Sequence, residues 1–267
     1  MSNPEKASSF HIGRTEDSNT AVMNIFIFFD DLSKSRNGKQ LMKALTSTLK
    51  VVVPLIEENA GRVIKVSGSG ISAVFERSAE DALVCGISIC QRVDAGMNGS
   101  DEIRVSVGIT YGRISICDVV CGSFSTIVAV SEAMELTVLL SVACKKADAS
   151  MLVTESLANH VSGFQNRFAS RKIGLIYYKA EKKPYTLYDV FDSDTAEKKY
   201  SKRRSRLLFE KGVEHFLEGR AMQARSCFIE LLKYDRSDVV AKKYILMCDK
   251  VLSGEGEDPE DKYLSLI

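Results

Sequence analysis

The residues of this chain best suited to chemistry lie in two short segments. Asn24-Ile25-Phe26-Ile27-Phe28-Phe29-Asp30-Asp31-Leu32 is an apolar β-type run that reaches two carboxylates. Carboxylates at a strand end are the ligand type that hard divalent cations prefer. Arg62 to Phe75 reads as strand, Gly68-Ser69-Gly70 turn and strand, and such a turn lets backbone amides close around a phosphate. Gly68 to Ala73 also matches a G-x-G-x-x-A dinucleotide fingerprint. That fingerprint requires a helix starting at the glycines, whereas Ile71 to Phe75 has β composition and a capping box opens at Ser78. The segment is therefore assigned to a strand. His11, His160 and His215 are scattered and form no zinc constellation or Ser/His/Asp triad. Seven cysteines make an odd set with no C-x-x-C pair and sit mostly in apolar runs. Free thiols behave this way in a reducing compartment, so a cytoplasmic location is expected.

The elements that must position these segments follow from hydrophobic periodicity. A strand is predicted over Ala21–Phe29 and a helix over Lys39–Asn59, where Leu41, Leu45, Leu49, Val52 and Ile56 share one face. A second helix runs from Ala79 to about Ala95. Ile103–Thr110 alternates as a strand, with Gly112–Ile116 expected to return as its hairpin partner. A helix over Ser131–Lys146 and strands over Met151–Thr154, Lys172–Tyr178 and Tyr185–Phe191 follow. The order βαββαβ predicts an α+β, ferredoxin-like domain over residues 21–191.

Around that domain, residues 1–20 are expected to form an N-terminal arm, polar and without the apolar stretch of a secretory signal. Residues 192–206 are rich in Lys and Arg and read as a charged linker, and 254–267 as an acidic tail. Residues 207–253 are helical in pattern, with Gly212, Ala224 and Phe228 spaced like the small, small and aromatic positions of a tetratricopeptide helix pair. Phe209, Phe216, Phe228, Leu231 and Leu232 are more apolar surface than isolated helices can hide. This extension is thus expected to dock on the preceding domain or on a protein partner. No run of 18 apolar residues exists, so no membrane span is predicted. The net charge of +1 gives no argument for nucleic acid.

In order and spacing, residues 21–190 resemble the catalytic domains of class III adenylyl/guanylyl cyclases. Phe29-Asp30-Asp31-Leu32 is similar to the family's F-x-D-I/L, and Lys65 to Gly70 to its K-x-x-G-D-G. Val107 to Ile114 is similar to G-I-x-x-G-x-V, and Ala133 to Leu140 to A-V-N-L-A-A-R-L. The resemblance implies head-to-tail dimers whose sites lie between two domains. Two aspartates hold Mg²⁺ or Mn²⁺, an asparagine orients the ribose, an arginine stabilises the α-phosphate, and a lysine loop binds triphosphate.

Carried over residue by residue, the resemblance puts Asp31 at the first metal position and Ser69 at the second. A neutral hydroxyl cannot replace a carboxylate there. Glu135 stands at the asparagine, Leu139 at the arginine and Val128 at a purine-selecting position, while the lysine that partners it is kept as Lys65. Lys179 is kept in the triphosphate loop, but Glu181 replaces its second lysine. Loss of one such transition-state donor typically costs about 10²–10³ in rate. The resemblance thus implies a catalytically degenerate member with no cofactor, vestigial nucleotide contacts at Lys65, Val128 and Lys179, and Asp31 as a residual metal ligand. The implied role is regulatory or structural, as a homodimer or a heterodimer with another cyclase-like chain. The alternative is an active adenylyl or guanylyl cyclase, alone or as half of a heterodimer, using Mg²⁺ or Mn²⁺.

Overall fold

The computed structural model describes residues 10–13, 15–29, 38–96, 103–121, 123–255, 263–264 and 266. Strands β1 (Phe10–Ile12) and β2 (Glu16–Phe29) are followed by helix α1 (Gly38–Glu58), strands β3 (Arg62–Val66) and β4 (Gly70–Phe75), and helix α2 (Ala79–Gly96). Next come β5 (Ile103–Cys121), β6 (Phe124–Val130), α3 (Glu132–Ala147), β7 (Met151–Thr154), and the short helices α4 (Glu155–Asn159) and α5 (Phe164–Arg167). Strands β8 (Ser170–Tyr178) and β9 (Lys183–Val190) precede helices α6 (Ala196–Leu217), α7 (Ala221–Tyr234) and α8 (Val239–Leu252). The strands form one sheet in the order β3-β4-β2-β5-β7-β9-β8, with β1 and β6 paired to β5 off that path.

The segment β2-α1-β3-β4-α2-β5 is the ferredoxin-like unit expected from the sequence, with β4 and β5 both antiparallel to β2. Alternation sends Met23, Ile25, Val107 and Ile109 to one face, where they meet Val52, Ile56, Leu83 and Ile89 of α1 and α2 in a first core. Helix α3 takes the opposite face. It can cross β5 closely because Gly108 has no side chain: a Cβ there would lie 2.7 Å from Leu140 Cβ. The sequence pattern puts a turn at Tyr111-Gly112, but β5 runs unbroken to Cys121, and its hairpin partner is β6. Gly112 serves the approach of α3 instead, since a Cβ there would lie 3.2 Å from Ala133 Cβ.

The charged stretch 192–206 also departs from its expected form. Helix α6 starts at Ala196, and the period set by Phe209, Val213 and Phe216 runs back through Ser205 to Lys202, all buried. Lys202 Nζ lies 2.8 Å from both Asp189 Oδ2 and Asp194 Oδ2. Arg171 pairs with Asp189 at 3.2 Å and with Asp238, and its guanidinium lies 4.3 Å from the Phe209 ring centre. All five charged residues are at most 9% exposed. Of the remaining cations, Lys198 pairs with Asp148 and Arg206 with Glu210, and Lys199 donates to the Asp192 carbonyl. The run that reads as linker is what docks the helix.

The extension takes the first of its two expected positions. Leu136 and Leu140 of α3, Ile173 and Ile176 of β8, and Phe209, Phe228 and Tyr244 of α6–α8 share a second core. Leu264 and Leu266, inside the expected acidic tail, are buried in it too. Among the described residues no helix is long and apolar enough to cross a membrane.

The ionic cluster sets stability limits that can be measured. Removing one member leaves its partners charged and buried, so Arg171→Met is expected to cost about 3–5 kcal/mol in urea denaturation. Burial opposes the Asp238 charge, but Arg171 outweighs it and holds this carboxyl below its ordinary value. A depressed carboxyl contributes stability above the unfolded value of about 3.9, and that stability is lost as pH falls further. Burial likewise opposes the Lys202 charge, but Asp189, with Asp194, holds its ammonium above the ordinary value. That contribution is complete below about pH 10 and is lost only as pH rises through the folded value. Melting temperature is therefore expected to drop at the acid end in wild type and to lose part of that acid sensitivity in Asp238→Asn.

Candidate functional site

The β3–β4 hairpin and the end of β2 lie together. Ile27 N donates to the Ser69 carbonyl at 2.9 Å, which brings the exposed turn beside the strand end that leads to Asp31. Asp31 itself lies outside the described residues. Lys65 is exposed on β3, opposite Ser72 of β4. Ser72 Oγ donates to Asn24 Oδ1 at 3.0 Å, and Asn24 Nδ2 donates to Ser141 Oγ at 2.8 Å. This buried relay ties the hairpin through β2 to α3. Val128 is exposed on β6, opposite Cys117. Below it, Ile127 and Ala129 pack on a third core that includes Ile64.

Helix α3 carries the other positions. Ser131 caps it, its hydroxyl accepting from Ala133 N at 3.0 Å. Glu135, in the first turn, accepts a hydrogen bond from the Tyr178 hydroxyl at 2.7 Å. Leu139 packs against the second core. Lys179 is exposed just past the end of β8. The Glu181 side chain is 7% exposed, pairs with Lys183 and accepts from the Tyr185 hydroxyl at 2.5 Å. Burial first, then the Glu135 hydrogen bond and the charges of Glu135, Glu181 and Glu132, push the Tyr178 phenol up to about 12. A cleft of about 520 Å³ opens nearby, lined in part by Ser131, Glu132, Thr110, Glu181 and Tyr185. The structure thus gathers Glu135, Leu139 and Tyr178 along one flank of α3, and Ser69 at the end of β2.

Sequence reasoning missed Tyr178 as the anchor of Glu135 and missed the charges of Glu181 and Glu132 that also raise its phenol. The signal was faint: Tyr178 sits immediately before Lys179, at the end of a strand whose alternation alone does not say which side chain reaches α3. For a hard divalent cation, the described part of the hairpin offers the neutral Ser69 hydroxyl and main-chain oxygens. No group of three His, Cys, Asp or Glu among the described residues could hold a metal ion. Ser69 itself brings no carboxylate to a hard divalent cation, and the carboxylates of Asp30 and Asp31 lie outside the described residues.

No family model matches the sequence, and no curated protein matches it. Solved structures do match the fold. The adenylyl cyclase CyaB from P. aeruginosa aligns with a TM-score of 0.56 at 18% identity, over 67% of this chain and 97% of that one. The chain has the fold of a nucleotidyl cyclase catalytic domain. A bacterial light-regulated adenylyl cyclase aligns with a TM-score of 0.59 at 11% identity, over 68% of this chain and 55% of that one. The chain therefore spans about half the length of that relative. A non-canonical dimeric guanylyl cyclase domain from Blastocladiella emersonii aligns with a TM-score of 0.52 at 12% identity, over 66% and 97%. About a third of the present chain lies outside these matches to the cyclase fold.

Tyr178→Phe should release Glu135 from β8. The expected cost is about 1–2 kcal/mol in urea denaturation, together with loss of the phenol that titrates near 12 in alkaline absorbance of the wild type. Unchanged stability, with the lost phenol titrating near the ordinary value of about 10, would show that the hydrogen bond is not formed in solution.

Proposed function

We propose that this chain is a catalytically degenerate nucleotidyl cyclase-homology protein that acts as a regulatory or structural dimerisation and scaffold module. The observation that carries the reading is the charge of the α3 flank. Where the resemblance implies an asparagine, an arginine and a second lysine for an anionic substrate, this chain has Glu135, Leu139 and Glu181. Glu135 and Glu181, with Glu132, act on Tyr178. Placing a triphosphate beside these carboxylates is electrostatically unfavourable, and Leu139 offers no donor to an anionic transition state. The mismatch of Ser69 with a divalent cation adds to this.

Dimerisation is supported by the apolar surface of the cyclase fold. Phe124, Val128 and Val130, on one face of β6, are each more than a third exposed. Apolar side chains grouped in this way mark interaction sites more often than bare surface. The likeness to a dimeric guanylyl cyclase domain points the same way.

Purified protein with Mg²⁺ or Mn²⁺ and ATP or GTP is expected to form no cyclic nucleotide above a blank, and calorimetry should detect weak binding at most. Turnover that disappears in Asp31→Ala would favour the active-cyclase alternative. Sedimentation should show a dimer whose dissociation constant rises at least about ten-fold in Val130→Glu, the effect expected of a charge forced into an apolar contact. A monomer at all concentrations would remove the dimer from the proposal and leave the catalytic question open.

A further inference from the structure

The basic run at the start of α6 divides between two faces. Lys198, Lys199, Lys202 and Arg206 reach partners on the sheet domain or along the helix. Arg203 and Arg204 are exposed. Tyr200, Arg204, Leu207 and Lys211 follow the i, i+4, i+7, i+11 spacing of one helix face. All four are exposed, Tyr200 by 66% and Leu207 by 80%. The Arg204 guanidinium lies 4.9 Å from the ring centre of the exposed Tyr234, which joins this face to the end of α7. There Lys233 and Arg236 line a cleft with Lys198, Ser201 and Tyr234. Glu197 and Asp235 line the same cleft, and Glu230 pairs with Lys233. Cations still prevail. Residues 196–252 carry fourteen Lys and Arg against eight Asp and Glu in a chain whose net charge is +1, so positive charge is concentrated on the extension.

We propose that this outer face of α6, with the end of α7, is a docking surface for an anionic lipid membrane. Charge complementarity sets the sign of the partner, and the shape of the face sets its class. A protein partner is anchored by apolar side chains fitted into packed pockets. Here Leu207 is the most exposed large apolar side chain among the described residues, and the cleft beside the face is lined by charged and hydroxyl-bearing side chains. A headgroup layer receives a protruding leucine and tyrosine rings without a complementary surface, and it attracts the cations around them. A nucleic acid would have to stack a base on Tyr234, whose ring is already covered by Arg204. Each cation near an anionic membrane strengthens binding by about five-fold. Arg203, Arg204, Lys211, Lys233 and Arg236 together therefore give a reversible association. The inference goes beyond the scaffold reading and does not depend on the loss of catalysis.

The test is co-sedimentation of the full-length protein with vesicles of phosphatidylcholine, alone or mixed with phosphatidylserine at about 3:1. Binding is expected to be at least about ten-fold tighter on the mixed vesicles and to weaken as salt rises. Arg204→Glu/Lys211→Glu should lose at least about ten-fold, and Arg203→Glu/Arg236→Glu, an independent pair on the same face, should lose as much. Lys43→Glu/Lys50→Glu changes the net charge equally but lies on the exposed surface of α1, and it should stay within about two-fold of wild type. Leu207→Ser should weaken binding without altering its salt dependence. Equal affinity for the two vesicle types overturns the proposal, as does a loss in the α1 variant as large as in the α6 variants. So does release of the bound protein by a polyglutamate peptide or a single-stranded oligonucleotide present below the concentration of accessible phosphatidylserine, since the occupant would then be a protein or a nucleic acid.

Discussion

Two cations and three carboxylates buried between β8, β9, α6 and α8 are the constraint on which the rest of the structure depends. Taken singly, each of these charges would cost several kcal/mol to remove from water. They are tolerable only when Arg171, Lys202, Asp189, Asp194 and Asp238 arrive together. The apolar contacts around them are non-directional and would allow helices to slide. The ion pairs do not, so they fix the register of the extension on the sheet. Asp238 is drawn into this twice, pairing with Arg171 and capping α8 by accepting from Ala241 N at 2.9 Å. The start of α8 is thereby set by the same side chain that closes the cluster.

With the extension fixed, α3 has packing constraints on both sides. Toward the ferredoxin-like unit it is held by the Asn24–Ser141 bond and by Ser106 Oγ, which donates to the Ser141 carbonyl at 2.6 Å. On its other flank it contributes Leu136, Leu140, Ala143 and Cys144 to the second core. Leu139 lies against that core. An arginine at 139 would have to carry its guanidinium past apolar neighbours to reach solvent. Leu139 is a packing residue here, and replacing it by a charged side chain would work against contacts that support α3.

Much of the fold was legible in the sequence because it rests on periodic patterns. The hairpin around Gly68–Gly70, helix α2 after its capping box at Ser78, and helix α3 after Ser131 all fall within a residue or two of where periodicity and caps place them. The long β5 was not legible, because Gly112 carries a turn signal in sequence but serves a close approach of α3 in space. The charged stretch was misread for a related reason. Lys and Arg are normally solvated, and nothing local announces that Lys202 will meet Asp189 and Asp194 across the fold. The helical period running back from Phe209 was the available signal. At the candidate site, Ser69, Glu135 and Leu139 could be singled out by position along the chain. What binds Glu135 could not, since Tyr178 lies 43 residues away.

The Tyr178–Glu135 bond also explains how a carboxylate beside β8 is compatible with a stable fold. Carboxylates in the first turn of a helix interact favourably with the exposed amides there, so Glu132 and Glu135 suit the start of α3 whatever its ancestry. Tyr178, pushed up to about 12 by burial first and by Glu135 second, remains a neutral donor throughout the neutral range. A nucleotide entering this flank would have to displace a phenol that satisfies Glu135 and put phosphate charge in its place, near Glu132 and Glu181. Within one chain, the arrangement packs β8 against α3.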